Sequence, residues 1–251
     1  MISLKSPQER SVMRENGRIL AHVLAEVSAA ATPGRSTAEL DALAERLILE
    51  ADARPAFKGY EGFPATLCTS INEEIVHGIP QASRRLKEGD IVSLDCGLVR
   101  NGMYVDAAVT IPVGEVSDTA LRLLRTAKES LWRAIGAATI DHCVSDISHA
   151  IGSYVESEGL FVVRELVGHG IGRALHEEPQ IPNYGQPGFG QKLKVGMALA
   201  IEPMVKLDDE PARLLEDHWT WVTGTGGLSA HFEHTVVMNE DGVEVLTQGG
   251  A

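Results

Sequence analysis

The chain has 251 residues, which is enough for one large domain or two small ones, and its net charge is −13. A hydrophobic share of 44% and a charged share of 23% are ordinary for a globular protein, and they exclude a disordered, collagen-like or coiled-coil chain. The negative charge argues against DNA as a main partner, because attraction to phosphate dominates that affinity.

The sequence carries no signal for export or membrane insertion. No apolar run approaches the roughly 18 residues of a membrane span, and the N-terminal ten residues become charged at once. Cys68, Cys96 and Cys143 lie far apart and form no CxxC pair, which is typical of a reducing compartment. We therefore expect a cytoplasmic protein that does not bind membranes.

The first predicted elements are two helices followed by three strands. Ser6-Pro7-Gln8-Glu9 and Ser36-Thr37-Ala38-Glu39 both match the capping box, with Pro7 at the first helical position. Apolar residues at helical spacing follow each box, in residues 12–27 and 40–47. Runs rich in strand-forming residues then cover 65–71, 91–98 and 103–111.

The same order of elements returns 107 residues later. An amphipathic run covers 121–135, a second helix follows residues 138–143, and Gly159 is placed to end it. Strand-like runs cover 161–166, 197–205 and 232–243, and the same offset carries Asp95 onto Glu202. Chance resemblance between amphipathic helices is the alternative, but it does not explain the match of two acids.

We therefore predict an α/β (α+β) fold built from two αα-ββ halves related by a pseudo-twofold axis around a central antiparallel sheet. The halves are approximately 1–114 and 115–251. No linker interrupts the sequence, so we expect a single domain over residues 1–251.

A hairpin places two acids side by side in the first half. The pair Asn101-Gly102 is a strong signal for a two-residue turn, and such a turn sets Gly97 opposite Asp106. Asp95 is then a diagonal neighbour of Asp106 on one face, about 7–8 Å away. Two polar residues facing water would be the simpler interpretation. Because residues 94–99 are apolar, however, burial of these acids requires a compensating cation.

The second half adds two acids and a histidine in apolar or glycine-rich surroundings. Glu202 interrupts an apolar run, Glu233 precedes another, and His169 is enclosed by glycines. Each residue alone is explained equally well by a structural role. Together with Asp95 and Asp106 they give four carboxylates and one imidazole, which suit Mn, Fe or Co better than a structural zinc site.

Other common catalytic signatures are missing. His77 and His176 are interpreted as residues that handle protons, and Gln180 breaks the pattern of a zinc-binding HExxH helix. The sequence has no phosphate-binding loop, no dinucleotide-binding glycine motif and no nucleophile elbow.

Taken together, the chain resembles the type I methionine aminopeptidases, in the short form without a zinc-binding extension. The resemblance runs from residue 13 to residue 247 and rests on five motifs, at 70–80, 168–173, 176–179, 201–205 and 232–235. It implies the pita-bread α/β fold, which agrees with the two predicted halves.

The resemblance also implies a set of metal ligands. Asp95 would bind one ion, Asp106 and Glu233 would bridge two, and His169 and Glu202 would complete the second site. Two divalent ions (Co, Mn, Fe or Zn) would hold a hydroxide that attacks the peptide bond after an N-terminal methionine, with a small second residue preferred. Glu202 would also act as general base.

The resemblance assigns the remaining site residues to substrate. His77 would steady the intermediate or protonate the leaving amine, and His176 would contact the substrate amide. Leu175 and His231 depart from the residues common in the family. The substrates would be peptides and nascent chains with N-terminal methionine, bound by a monomeric protein either in solution or at the ribosome. The methionine pocket would be lined by Phe57, Tyr60, Phe63, Cys68, Leu175 and Trp219.

Several alternatives stay open at the level of sequence. An Xaa-Pro dipeptidase or aminopeptidase P shares this fold, although such enzymes usually carry a large extra N-terminal domain. A relative that has lost its metals and serves as a scaffold is the other rival. The basic segment 84–87 would be either a solvated turn or a local contact with the ribosome, and the segment 206–218 has no assignment.

Overall fold

The computed structural model describes residues 2–249. Within them lie four helices, which are α1 (Pro7–Ala30), α2 (Thr37–Glu50), α3 (Asp118–Ala137) and α4 (Val144–Ser157), and a short 3-10 turn at Tyr60–Gly62. The strands are β1 (Arg54–Pro55), β2 (Leu67–Ile71), β3 (Glu74–Val76), β4 (Ile91–Arg100), β5 (Met103–Pro112), β6 (Phe161–Val162), β7 (Val167–Gly170), β8 (Glu177–Pro182), β9 (Ala198–Ile201), β10 (Met204–Lys206), β11 (Arg213–Leu214), β12 (Trp221–Val222), β13 (Ser229–His231), β14 (Glu233–Asn239) and β15 (Gly242–Val245).

The helices begin where the sequence predicts. The side-chain oxygens of Ser6 and Ser36 accept hydrogen bonds from the backbone N–H groups of Glu9 and Glu39, and both glutamates return the contact. Helices α2 and α4 each have 14 residues and start 107 residues apart. Helices α1 and α3 end with the same separation. The duplicated order of helices is therefore confirmed.

One large antiparallel sheet joins the two halves. Its strands run in the order β1-β4-β5-β14-β9-β7-β8, with β2 beside β4 and β15 beside β14. Helix α1 packs on β4 and β5, α2 packs on α1 and against β1 and β2, and α3 packs on β9 and β14. The halves meet where β5 pairs with β14, with Glu233 opposite Ala108. None of the described helices is long and apolar enough to cross a bilayer.

The hairpin of β4 and β5 has the predicted register. Gly97 lies opposite Asp106, and Asp95 lies opposite Ala108. Asn101 and Gly102 form the turn with φ values of 50° and 74°, which a tight hairpin turn requires of both central residues.

Three predicted strands differ in the structure. Only Phe161–Val162 of the run 161–166 is a strand, because the chain bends at residues 164–165 to enter β7. The run 197–205 breaks at Glu202 and Pro203, where proline has no N–H for the sheet, and β10 continues in a second, three-stranded sheet with β13 and β6. The run 232–243 is divided into β14 and β15 by a turn at residues 240–241.

Candidate metal centre and adjoining pocket

The five predicted metal ligands meet around one cavity. Asp95 lies in β4, Asp106 in β5, His169 in β7 and Glu233 at the start of β14, while Glu202 directly follows β9. All five line the same cavity of about 150 Å³. Ligand atoms of Asp106, His169 and Glu233 lie within 4.8 Å of one another, and His169 Nε2 is 3.5 Å from Glu202 Oε1.

Hydrogen bonds across the join between the halves hold Asp106 in place. The backbone N–H of Asp106 donates to Thr235 Oγ1 at 2.9 Å, and the Thr235 hydroxyl donates to the Asp106 carbonyl at 2.7 Å. Thr110 makes a similar pair of bonds with the backbone of His231, two residues before Glu233. These bonds hold β5, which carries Asp106, against the segment that carries Glu233.

The carboxyl groups are buried and strongly perturbed. Burial raises the pKa of Asp106 to about 7. Burial, followed by the charge of Asp106, raises the pKa values of Asp95, Glu202 and Glu233 well above their usual range. Like charges held together in a dry site favour protonation in this way.

The donor atoms fit a bound cation. Within residues 2–249, one side-chain oxygen each of Asp95, Asp106 and Glu233 is buried without a hydrogen-bond partner. Such groups are costly unless a cation or a donor compensates them. An oxygen-rich set with an imidazole matches the ligands that divalent Mn, Fe and Co accept.

His169 is arranged as a neutral ligand. Its Nδ1 lies 2.9 Å from the carbonyl oxygen of Gly170, which can only accept, so Nδ1 carries the ring proton. Nε2 is then unprotonated on the side of Glu202. Burial, and then the neighbouring His176, lower the pKa of His169 to about 4. An imidazole fixed by a backbone carbonyl in this way is the usual form of a metal ligand.

Two further histidines lie near the cluster: His231 is next to Glu202 and Glu233, and His77 lines the same cavity. His77 follows β3 with a φ of 60° and lies edge-on to Trp219, 6.4 Å between ring centroids. Burial, and then His176, lower the pKa of His77 to about 4. The departure His231 is buried, with Nε2 3.6 Å from Glu202 Oε2, and neither ring nitrogen has a partner among the described residues. Its position beside two acids was not predicted from the sequence.

An apolar pocket opens onto the carboxylates. Phe63 and Trp219 pack edge to face with centroids 5.1 Å apart, and Cys68 lies opposite Asp95 in the pairing of β2 with β4. Gly97 allows the Phe57 ring to approach, because a Cβ there would lie 2.8 Å from that ring. The walls include all six predicted pocket residues, Phe57, Tyr60, Phe63, Cys68, Leu175 and Trp219.

Sequence reasoning missed Glu61, which also lines this cavity. The residue belongs to a tight turn in which Gly59, Glu61 and Gly62 all have positive φ, at 87°, 49° and 95°. The two glycines around Tyr60 and Glu61 were the available signal, because glycine is the residue that adopts such φ values at least cost.

Comparison with known proteins places the chain in a family. Residues 11–240 match Metallopeptidase family M24, and the chain belongs to this family. It is 50% identical to methionine aminopeptidase from Clostridium acetobutylicum, over 98% of this chain and 99% of that protein. Identity to methionine aminopeptidase 1 from Bacillus subtilis is 51%, over 99% and 100%.

A solved structure has the same fold over nearly its full length. The crystal structure of methionine aminopeptidase from Thermotoga maritima superimposes with a TM-score of 0.97, at 46% identity, over 99% of this chain and 100% of that chain. The predicted pita-bread architecture is thereby confirmed, and the protein is a metallopeptidase of this fold.

Proposed function

We propose that this protein removes N-terminal methionine from peptides and nascent proteins in a metal-dependent reaction and prefers a small second residue. One observation supports this most strongly: an apolar pocket opens directly onto a buried cluster of carboxylates and imidazole. The curated relatives that match nearly the whole chain carry the corresponding name.

In this proposal two divalent ions, Co, Mn, Fe or Zn, are held by Asp95, Asp106, His169, Glu202 and Glu233. When bound, such ions supply Lewis-acid activation of water and of the peptide carbonyl. The raised pKa values of the acids fit this role, because a cation replaces the protons that the metal-free cluster retains.

Three side chains of the chain then handle protons and orient the peptide. Glu202 accepts a proton from the attacking water, because its carboxylate lies in the ligand cluster, with Oε1 3.5 Å from His169 Nε2. His77 stabilises the developing negative charge or protonates the leaving amine. His176 contacts the substrate amide. His77, His176 and Glu202 border both the apolar pocket and the neighbouring open cleft, which is where a scissile bond would lie.

The pocket chemistry favours a thioether side chain. Sulfur packs well against aromatic rings, and the walls present Phe57, Phe63 and Trp219. Burial, and then the charge of Asp95, raise the pKa of the Cys68 thiol well above its usual range, so this wall is uncharged. Leu175 completes the same wall.

Two of the three cations in the basic segment 84–87 lie beside acids. Arg84 Nη2 lies 2.5 Å from Glu74 Oε2, and Arg85 Nη1 lies 3.7 Å from Glu39 Oε2. These pairs favour a solvated turn. We propose that the protein acts as a monomer and binds nascent chains through the catalytic cleft itself.

The test is hydrolysis of Met-Ala-Ser by metal-free protein before and after addition of Mn, Fe, Co or Zn. We expect release of methionine only with metal. Three altered peptides should be poor substrates. Met-Leu-Ser has a large second residue, Leu-Ala-Ser places a different side chain in the pocket, and acetylated Met-Ala-Ser lacks the free amine.

Three results would contradict the proposal. Equal loss of any N-terminal residue would remove the role of the pocket. Cleavage of Xaa-Pro dipeptides in preference to Met-Ala-Ser would indicate the dipeptidase rival. Failure to bind added Mn, together with the absence of hydrolysis, would indicate a scaffold that has lost its metals. Asp106→Asn serves as the matched variant without an intact metal centre.

A further inference from the structure

One contact at the mouth of the pocket joins a predicted pocket residue to a predicted catalytic histidine. The Tyr60 hydroxyl lies 2.8 Å from Nδ1 of His176, although the two residues are 116 positions apart in sequence. Their rings meet edge to face with centroids 5.2 Å apart. Neither the metal ligands nor the pocket walls require this hydrogen bond.

The direction of the hydrogen bond follows from the two groups. A phenol donates through its O–H, and a neutral imidazole has one accepting nitrogen. The phenol is the stronger acid of the two, so its proton is the one shared, and Nδ1 of His176 accepts. A neutral imidazole whose Nδ1 accepts must carry its ring proton on Nε2.

His176 Nε2 is the nitrogen left for substrate. Among residues 2–249 it has no hydrogen-bond partner, whereas His169 Nδ1 is satisfied by a carbonyl. The His176 ring lies edge-on to His169 with centroids 4.4 Å apart, beside the metal cluster. A protonated Nε2 can donate to a carbonyl oxygen but cannot accept from an amide N–H.

We propose that Tyr60 is a positioning residue that holds His176 in the Nε2–H tautomer, so that His176 donates a hydrogen bond to a carbonyl oxygen of the bound peptide. The proposal deepens the proposed function and rests on it for the identity of the substrate. It assigns Tyr60 a role separate from that of a pocket wall.

Backbone hydrogen bonds and a tight turn restrict the movement of Tyr60 and of its hydroxyl group. Phe57 and Phe63 tie both ends of the turn: the Tyr60 N–H donates to the Phe57 carbonyl at 2.8 Å, and the Phe63 N–H donates to the Tyr60 carbonyl at 2.9 Å. Gly59 and Gly62 have the positive φ values that this tight turn needs. A preorganised partner of this kind loses little entropy when it orients another side chain.

The direct test is the tautomer of His176, measured by long-range proton–nitrogen NMR on the full chain labelled with ¹⁵N-histidine, metal-free and with added Zn. The His176 signals are assigned by their loss in His176→Ala. We expect an unprotonated Nδ1 and a protonated Nε2 in the wild type. Tyr60→Phe, which keeps the ring and removes the hydroxyl, should give a mixture of tautomers. A wild-type His176 protonated on Nδ1, or an unchanged tautomer in Tyr60→Phe, would overturn the proposal.

Kinetics with Met-Ala-Ser separate positioning from pocket binding. Loss of one hydrogen bond should lower kcat about fivefold to tenfold in Tyr60→Phe, with KM changed by less than about twofold. In a His176→Ala background the same substitution should change the residual rate by less than about twofold, because its target is gone. Tyr184→Phe, a half-exposed tyrosine beside Arg164, is the matched control and should leave both constants unchanged.

The outcomes distinguish this proposal from the proposed function. A rise in KM alone, or an equal loss of rate in both backgrounds, would show that the hydroxyl acts on the bound side chain and not through His176. If Met-Ala-Ser were not cleaved at all, the proposed function would fail while the NMR result would still decide whether Tyr60 sets the tautomer.

Discussion

The two halves of the molecule contribute to the metal centre in different ways. The first half provides Asp95 and Asp106 from one continuous hairpin, β4 and β5, whose register places both on one face. The second half provides His169, Glu202 and Glu233 from three separate segments, which become neighbours only because β9 lies between β7 and β14. A ligand pair built into a hairpin depends on local geometry, whereas a ligand set gathered from three segments depends on close packing.

The largest effect is expected where the halves join. Asp106→Asn and Glu233→Gln should each reduce methionine release by at least about a thousandfold, because either change removes a ligand of the bound cation from the site. Activity and metal content, measured by elemental analysis after dialysis, check this. Asp241→Asn, in the exposed turn between β14 and β15, is the control. Retained activity in a metal-free Asp106→Asn protein would show that methionine release does not depend on this metal centre.

A second substitution separates catalysis from metal binding. His77 should be replaced by Asn, since its φ of 60° is a conformation that Asn tolerates better than Ala. We expect kcat to fall by about 10²–10⁴, the usual range for a lost acid–base group, with metal content unchanged. Metal loss in parallel with activity would instead make His77 part of the metal centre.

Matched glycine substitutions test the difference between the halves. A Cβ on Gly168 in β7 would lie 2.6 Å from the Ala200 carbonyl and 3.3 Å from the Glu202 side chain, whereas a Cβ on Gly102 would meet nothing within 4 Å. Gly168→Ala should therefore weaken metal binding about tenfold or more, as displaced supporting groups do. Gly102→Ala should cost about 1–2 kcal/mol of stability, because of its positive φ, and leave metal affinity unchanged.

Titration calorimetry and urea unfolding of the two glycine variants check this pair. Equal losses of metal affinity in Gly168→Ala and Gly102→Ala would show that the ligands of the second half depend on packing no more than those of the hairpin.

The smallest expected effect is a pH dependence of the metal-free protein. Asp106 has a pKa of about 7 in the folded chain against a usual value of 3.8, so the folded state holds a proton that the unfolded state has released. Stability from this group is present below pH 4 and is lost as pH rises through 7. Between pH 6.5 and 8 the free energy of unfolding should therefore fall.

The neutral histidines change the free energy of unfolding with pH in the opposite direction. His77 and His169 have pKa values of about 4, below the usual 6.5, so they reduce stability as pH falls from 6.5 towards 4. Urea unfolding of metal-free protein at several pH values measures both effects, above and below pH 6.5. Asp106→Asn should reduce the slope above pH 6.5 and leave the part that comes from Asp95, Glu202 and Glu233. An unchanged slope would show that Asp106 does not hold the proton.

The sequence alone gave the helix starts, the 107-residue repeat and the hairpin. Capping boxes and an Asn-Gly turn depend on a few neighbouring residues, so their geometry can be predicted from local sequence. Short strands such as β7, β8 and β12 were not predicted. Their pairing partners lie far away in sequence, and periodicity is weak over two to six residues.

Local sequence thus determined that Asp95 and Asp106 share a face and that four helices form in two related pairs. Only the tertiary structure decided which groups face those aspartates. Strand pairing brought His169, Glu202 and Glu233 to them, and packing placed His231 beside Glu202 and Tyr60 against His176. The reason is physical: backbone geometry sets contacts between near neighbours, whereas contacts across more than a hundred residues depend on how the sheet closes and what its core excludes.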